Sequence, residues 1–143
     1  MTDSTKKTTA TIVPTLRYRD AVTAIDWLCQ AFGFEKHLVV PGEDGGIAHA
    51  QLVFGNGMVM LGSARDDAFD KLQRPLAAPD DPVSQSPYII VDNVDEHYKR
   101  AAAAGAVIVF PPEDQDYGGR LYSCRDPEGN LWNFGSYDPW DSA

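Results

Sequence analysis

Few side chains in this chain are suited to chemistry, and the three histidines come first. His49 sits in the alternating stretch IAHAQLVF, two residues before Gln51. An imidazole with a pKa of about 6.5 can serve as a general base at neutral pH. No Asp or Glu stands in the same segment to orient it, which favours a histidine that only lines a wall. His37 and His97 are expected to face solvent, His97 on a helix with charged neighbours. Tyr122 is a second candidate for acid–base work, although a strand aromatic is more often core. Arg120 follows Gly118 and Gly119 and could hold an anionic ligand group, or pair with Asp114 or Asp116 just before it. Cys124 has no nearby histidine or helix start to lower its thiol pKa, so no nucleophile is expected there. Met58 and Met60 read as packing residues.

Such side chains need a scaffold. The chain has 143 residues, of which 43% are hydrophobic and 23% charged, in the range of an ordinary folded domain. Its formal charge of −9 argues against nucleic acid and anionic membrane as partners, because both are polyanions. No apolar run reaches the roughly 20 residues needed to span a bilayer. Lys6 and Lys7 are not followed by an apolar stretch, so no secretory signal is expected. Cys29 and Cys124, far apart in sequence, read as two reduced thiols and point to a cytoplasmic setting.

The chain is written twice. Asp20 and Asp92 begin helical stretches, Gly33 and Gly105 end them, and Gly57 and Gly129 mark strand turns, each pair offset by 72 positions. The spacing predicts modules at 11–63 and 85–137, joined by a linker at 64–84 rich in Asp and Pro. In the first module, strands are predicted at 11–18, 36–40, 47–54 and 58–63. Asp20 caps a helix whose apolar stripe is Ala21, Ala24, Ile25, Leu28 and Phe32. In the second, strands are predicted at 87–91, 106–110, 120–125 and 130–135. Asn93 and Glu96 form a capping box, and Val94, Tyr98, Ala101 and Ala102 form the helix face. Loops at 42–46 and 111–119 occupy equivalent places and read as mobile rims of a cavity. The fold class is therefore α+β: two tandem βαβββ repeats forming a curved mixed sheet with a concave cleft and the helices outside. A concave face is where a ligand would sit. Tyr137 and Trp140, beyond the last strand, are expected to dock on the linker or on a second subunit.

Four segments carry a resemblance: Leu16-Arg17-Tyr18-Arg19-Asp20, Trp27 to Phe34, His49-Ala50-Gln51-Leu52, and Asp126-Pro127-Glu128-Gly129-Asn130-Leu131-Trp132. In this order and spacing the chain resembles the vicinal oxygen chelate superfamily, which holds glyoxalase I, the bleomycin-resistance proteins and the extradiol dioxygenases. The resemblance implies a divalent metal held by four side chains, one from each of four strands, and a homodimer. Carried over position by position, the ligands fall on Val13, Gln51, Ser86 (or Gln85) and Asn133. That set has no carboxylate, imidazole or thiolate, so no metal and no cofactor are expected.

Strand alternation then groups Val13, Thr15 and Arg17; His49, Gln51 and Val53; Ser86, Tyr88 and Ile90; and Leu131, Asn133 and Gly135 on the cleft side. On the strand before Asp126 the choice between Arg120, Tyr122 and Cys124 and the alternate set Leu121 and Ser123 stays open. Val13, His49, Gln51, Ser86, Tyr88, Arg120 and Asn133 are the candidate ligand-binding residues, and His49 and Tyr122 the candidate catalytic ones. The expected function is metal-free binding of a small planar or aromatic molecule. The alternatives are a metal-dependent lyase, isomerase or dioxygenase with displaced ligands such as His49 and Gln51, a cofactor-independent enzyme using His49 or Tyr122, and a purely structural domain.

Overall fold

The computed structural model describes residues 9–141; Lys6 and Lys7, and with them most of the segment read for a secretory signal, lie outside the described residues. The first repeat comprises β1 (Thr15–Tyr18), α1 (Ala21–Phe32), β2 (Glu35–Pro41), β3 (Ile47–Phe54) and β4 (Gly57–Ser63). The second comprises β5 (Tyr88–Ile90), α2 (Val94–Ala103), β6 (Val107–Asp114), β7 (Arg120–Arg125) and β8 (Leu131–Gly135). The two four-stranded mixed sheets have equivalent orders, β1-β4-β3-β2 and β5-β8-β7-β6, with one parallel and two antiparallel pairings each. The order βαβββ, expected twice, is present twice.

Asp20 ends β1 and starts α1 as its spacing predicts: its carboxylate accepts the Thr23 N–H at 3.1 Å and the Thr23 hydroxyl at 2.7 Å. Those two bonds hold the Asp20 carboxyl below its ordinary range. The predicted stripe of α1 is buried throughout. Gly33 and Gly105 follow the two helices with φ of 90° and 102°, the left-handed conformation that a side chain would resist. The third sequence match is looser. Gly129 has φ 95°, but in the first repeat the positive φ falls on Gly55, and Gly57 already belongs to β4.

The chain forms two compact units, and the boundary cuts α1. The first unit takes residues up to Ile25 together with 33–75; the second takes Asp26–Phe32 together with the rest from Leu76. In the first unit Tyr18, Ala21, Ala24, Ile25, Phe34, Ala50, Leu52, Val59 and Leu61 form the core. The segment 65–74 is not bare linker: it carries a 3-10 turn at Phe69–Lys71, and Asp70 is 7% exposed. The Asp70 carboxylate accepts the Arg65 N–H at 2.6 Å and lies 3.5 Å from the Arg17 guanidinium.

In the second unit the two helices complete each other's ends. A helix leaves its last carbonyls unpaired, and α1 has no basic residue in its own last turn to serve them. Side chains of α2 do so instead. Arg100 donates to the carbonyls of Gln30 (2.8 Å) and Cys29 (3.2 Å), and His97 Nε2 donates to that of Phe32 (2.8 Å). In return Trp27 Nε1 donates to Ala104, which caps α2, at 2.8 Å. Phe32 packs in an aromatic cluster with Trp27, Trp132 and Phe134, at centroid distances of 4.9, 5.4 and 4.6 Å.

Asn93 caps α2 as expected, its Oδ1 accepting the Glu96 N–H at 3.1 Å. The buried face of α2 differs from the predicted one. Val94, His97, Tyr98 and Ala101 turn inward, and Ala102 is exposed. The predicted strand at 106–110 also runs further, through Pro111 and Pro112 to Asp114, because β6 is an outer strand with register breaks where ladder donors are not needed. The loop predicted at 111–119 shrinks accordingly.

The Asp126-Pro127-Glu128-Gly129 turn is organised by one carboxylate. Asp126 is 2% exposed, and its side chain accepts from the backbone N–H of Glu128 and of Asn130, from the Asn130 amide, and from Trp132 Nε1 at 3.1 Å. Gly129 is required beside it, since a Cβ there would lie 2.5 Å from the Pro79 carbonyl oxygen.

Asp126→Ala would strand the buried Trp132 N–H and two turn donors. It is expected to lower unfolding free energy by about 2–4 kcal/mol in urea titrations, with Asp126→Asn costing less. His97 supplies a pH test. Burial lowers its pKa from the ordinary 6.5, Arg100 adding to that effect and the bond to Phe32 opposing it. The unfolded chain therefore takes up the proton first, so this contribution is intact above pH 6.5 and is lost as pH falls through the lowered folded value. The urea midpoint should fall on acidification from about pH 7.5 to 5.5, and His97→Gln, neutral throughout, should flatten that slope.

Candidate functional site

Cross-strand partners share a face, so the register sorts the candidates. In the first sheet Gln51 pairs with Met60, and Met60 with Thr15. In the second, Ser123 pairs with Asn133, and Asn133 with Tyr88. The two triplets are equivalent, which identifies Met60 as the first-repeat counterpart of Asn133. The sequence had placed Met60 with the packing residues. The offset of 72 hides the equivalence, because the β7–β8 turn is one residue longer in register than the β3–β4 turn.

The open choice on β7 is decided. Leu121 and Ser123 share the face of Asn133, while Tyr122 and Cys124 lie on the opposite, helix-packed face and are fully buried. Tyr122 therefore does not join the polar face. Its hydroxyl lies 2.6 Å from His97 Nδ1, and burial raises its pKa. His97 is corrected with it. It is half-buried, not solvent-facing, with its ring 4.2 Å from that of Phe134. Since Nε2 donates to the Phe32 carbonyl, Nδ1 accepts the Tyr122 proton, and both groups are committed to structure. The Cys124 thiol is pushed up to about 12, by burial first and by Asp126 second.

Around Asn133 the polar groups are neutral and bonded to one another. The Ser123 hydroxyl donates to Asn133 Oδ1 at 2.7 Å. The Asn133 amide donates to Ser86 Oγ at 2.8 Å and to the Pro87 carbonyl at 2.9 Å. The Tyr88 hydroxyl donates to the Tyr137 carbonyl at 2.6 Å. Arg120 takes the ion-pair course, with Asp114 at 3.1 Å and Asp95 on α2 at 3.2 Å. Tyr137 packs on Tyr117, but Trp140 is 91% exposed and docks on nothing among the described residues.

In the first unit the polar group is a chain of three. His37 is the unpaired residue at a register break in β2, between Lys36 and Leu38. Gln51 lies between it and His49: His49 Nε2 is 2.9 Å from Gln51 Oε1, and Gln51 Nε2 is 3.0 Å from His37 Nδ1. His37 is exposed, as expected. Val13, just before β1, is half-buried. Among the described residues no group of three or more His, Cys, Asp or Glu is placed to hold a metal ion.

Beside this chain is a cavity of about 210 Å³. Its floor is Thr15, Arg17, His49 and Met60, and its wall is Arg65, Phe69 and Gln73 from the segment after β4. Gln73 closes one side, donating to the Thr15 carbonyl at 2.9 Å. Arg17 lies 5.0 Å over the Phe69 ring and donates to the Ser63 carbonyl at 3.1 Å. Phe69 and Gln73 were not candidates from sequence, because their segment reads as linker and no periodicity marks it. Asp70 on Arg17, Gln73 on the Thr15 carbonyl and Arg65 on the Ala48 carbonyl bring them to the sheet.

Comparison with known proteins fits this architecture. Uncharacterized protein Rv0887c of Mycobacterium tuberculosis (strain ATCC 25618 / H37Rv) is 36% identical over 126 residues, covering 85% of this chain and 71% of its own. The crystal structure of TioX from Micromonospora sp. ML1 matches with TM-score 0.69 and 36% identity, over 88% of this chain and 97% of that one. The fosfomycin resistance protein FosX from Mesorhizobium loti shares the fold, with TM-score 0.62 at 13% identity, over 92% of this chain and 95% of that one. No helix among the described residues is long and apolar enough to cross a membrane. The family model matches residues 10–134, and the chain belongs to the Glyoxalase/Bleomycin resistance protein/Dioxygenase superfamily.

Proposed function

We propose that this chain binds a small planar or aromatic organic molecule and does so without the divalent metal that its superfamily implies. The observation that carries this reading is the donor set. Val13, Gln51, Ser86 and Asn133, with Met60 as the repeat counterpart of Asn133, offer amides, a hydroxyl, a thioether and a methyl-bearing side chain. A hard divalent ion is dehydrated at a cost that anionic oxygen or imidazole offsets and neutral amides do not. The Asn133 amide and carbonyl are moreover spent on Ser86, Pro87 and Ser123. These residues do not fit the family's metal. The cavity beside His49, with its Phe69 and Met60 walls, supports a role for apolar contact with a few oriented polar groups.

One observation favours a second reading, a cofactor-independent enzyme with His49 as base. Gln51, two residues on, supplies an orienting partner where the segment has no Asp or Glu. Tyr122, held by His97, has no part in it.

Equilibrium dialysis against Ni²⁺, Zn²⁺, Mn²⁺ or Fe²⁺ followed by elemental analysis is expected to find less than about 0.1 ion per chain. Stoichiometric retention that is lost in Asn133→Ala or Gln51→Ala would overturn the metal-free reading. Native mass spectrometry of the purified chain tests the ligand itself as added mass that denaturation removes. The proposal includes a cytoplasmic homodimer, supported by two cysteines not joined in a disulfide and by exposed Leu38, Val40, Val107 and Phe110 on the outer strands. Sedimentation equilibrium should return twice the 15.7 kDa chain mass, and a monomer would overturn that part.

A further inference from the structure

We propose that the cavity on the first sheet selects an uncharged, flat molecule of one substituted ring, held through an O–H or N–H group that donates to His49. This rests on the small-molecule reading above and names its chemical class.

The acceptor follows from the three-residue chain. Gln51 has one acceptor and one donor end. Its NH₂ faces His37 Nδ1 and its oxygen faces His49 Nε2, so His49 must carry its proton on Nε2. A neutral imidazole protonated there presents a lone pair at Nδ1. That nitrogen has no hydrogen-bond partner among the described residues, and the side chain lines the cavity.

Charge excludes ions. Two guanidinium groups border the cavity, and two carboxylates match them. Arg17 lies 3.5 Å from Asp70 and 3.7 Å from Asp67, and Arg65 lies 3.7 Å from Asp67. Arg17 and Arg65 further donate to the carbonyls of Ser63 and Ala48. Among the described residues that line the cavity no cation is left without a carboxylate, and the chain's −9 opposes anions at long range. No carboxylate is among the described residues that line the cavity, so nothing there would hold a cation. A neutral ligand meets Met60 and the half-exposed Phe69 ring. The pocket is open on one side, and its volume of about 210 Å³ has room for one ring with a substituent.

The test uses the full chain and three probes of one shape: p-cresol, 4-methylanisole and 4-methylbenzoate, with dissociation constants from ligand-detected NMR. The expected order is p-cresol tighter than 4-methylanisole by about fivefold, as one hydrogen bond allows, with 4-methylbenzoate weakest. His49→Phe should bring phenol and ether within about twofold of each other, and His49→Gln, which keeps an acceptor, should restore part of the gap. A two-bond proton–nitrogen spectrum should report His49 as the Nε2–H tautomer, independently of any ligand. Equal binding of phenol and ether, or an Nδ1–H tautomer, overturns the inference and leaves the small-molecule reading standing. Tightest binding by the benzoate overturns the charge argument and the inference with it. Failure of all three to bind also overturns it, while the wider reading is judged separately by the mass spectrum of what copurifies.

Discussion

The carbonyl groups at the end of α1 need donors, and the way they find them sets the second half of this protein. With no cation in its last turn, α1 ends on Arg100 and His97 of α2, and Trp27 answers by serving the end of α2. A buried carbonyl without a partner costs about 1–3 kcal/mol, so this exchange constrains where the helices lie. It draws Phe32 into contact with Trp132 and Phe134, on the face of the β5–β8 sheet that also carries Tyr122 and Cys124. Once that face is committed, alternation along the strands assigns Ser123 and Asn133 to the other.

The two repeats use the same strand order for different chemistry. At equivalent places, one has a closed set of hydroxyls and an amide around Asn133, while the other has Met60 and Gln51 flanked by two imidazoles. The first set leaves little for an incoming ion, since its donors and acceptors already serve one another. The second has His49 Nδ1, which has no hydrogen-bond partner among the described residues, on a side chain beside a cavity that Met60 and Phe69 border. The cavity is completed by the segment after β4. Asp70, buried among Arg17 and the Arg65 backbone, holds that segment on the sheet and presents Phe69 and Gln73 to the cavity.

Much of this was legible from residue spacing. Asp20 and Asn93 announce their helices because a cap is a local interaction between a side chain and an N–H three residues on. The Asp126 turn is equally local, its partners lying within six residues. His97 was misread because its neighbours in sequence are charged, whereas its partners, Phe32 and Tyr122, are 65 and 25 residues away. The contact of His37 with Gln51, 14 residues on, was concealed because a strand's register break cannot be read from one strand alone.

The sequence by itself determined the repeated βαβββ order, the helix boundaries, the apolar stripe of α1 and the scarcity of anionic or imidazole groups at the four family positions. Each is fixed by composition or by contacts a few residues apart. Only the tertiary structure decided which face Tyr122 takes, that Met60 answers to Asn133, that α2 completes α1, and that Phe69 and Gln73 border a cavity. Those facts depend on strand register and on which distant groups satisfy a buried donor or acceptor, and neither quantity is written in local spacing.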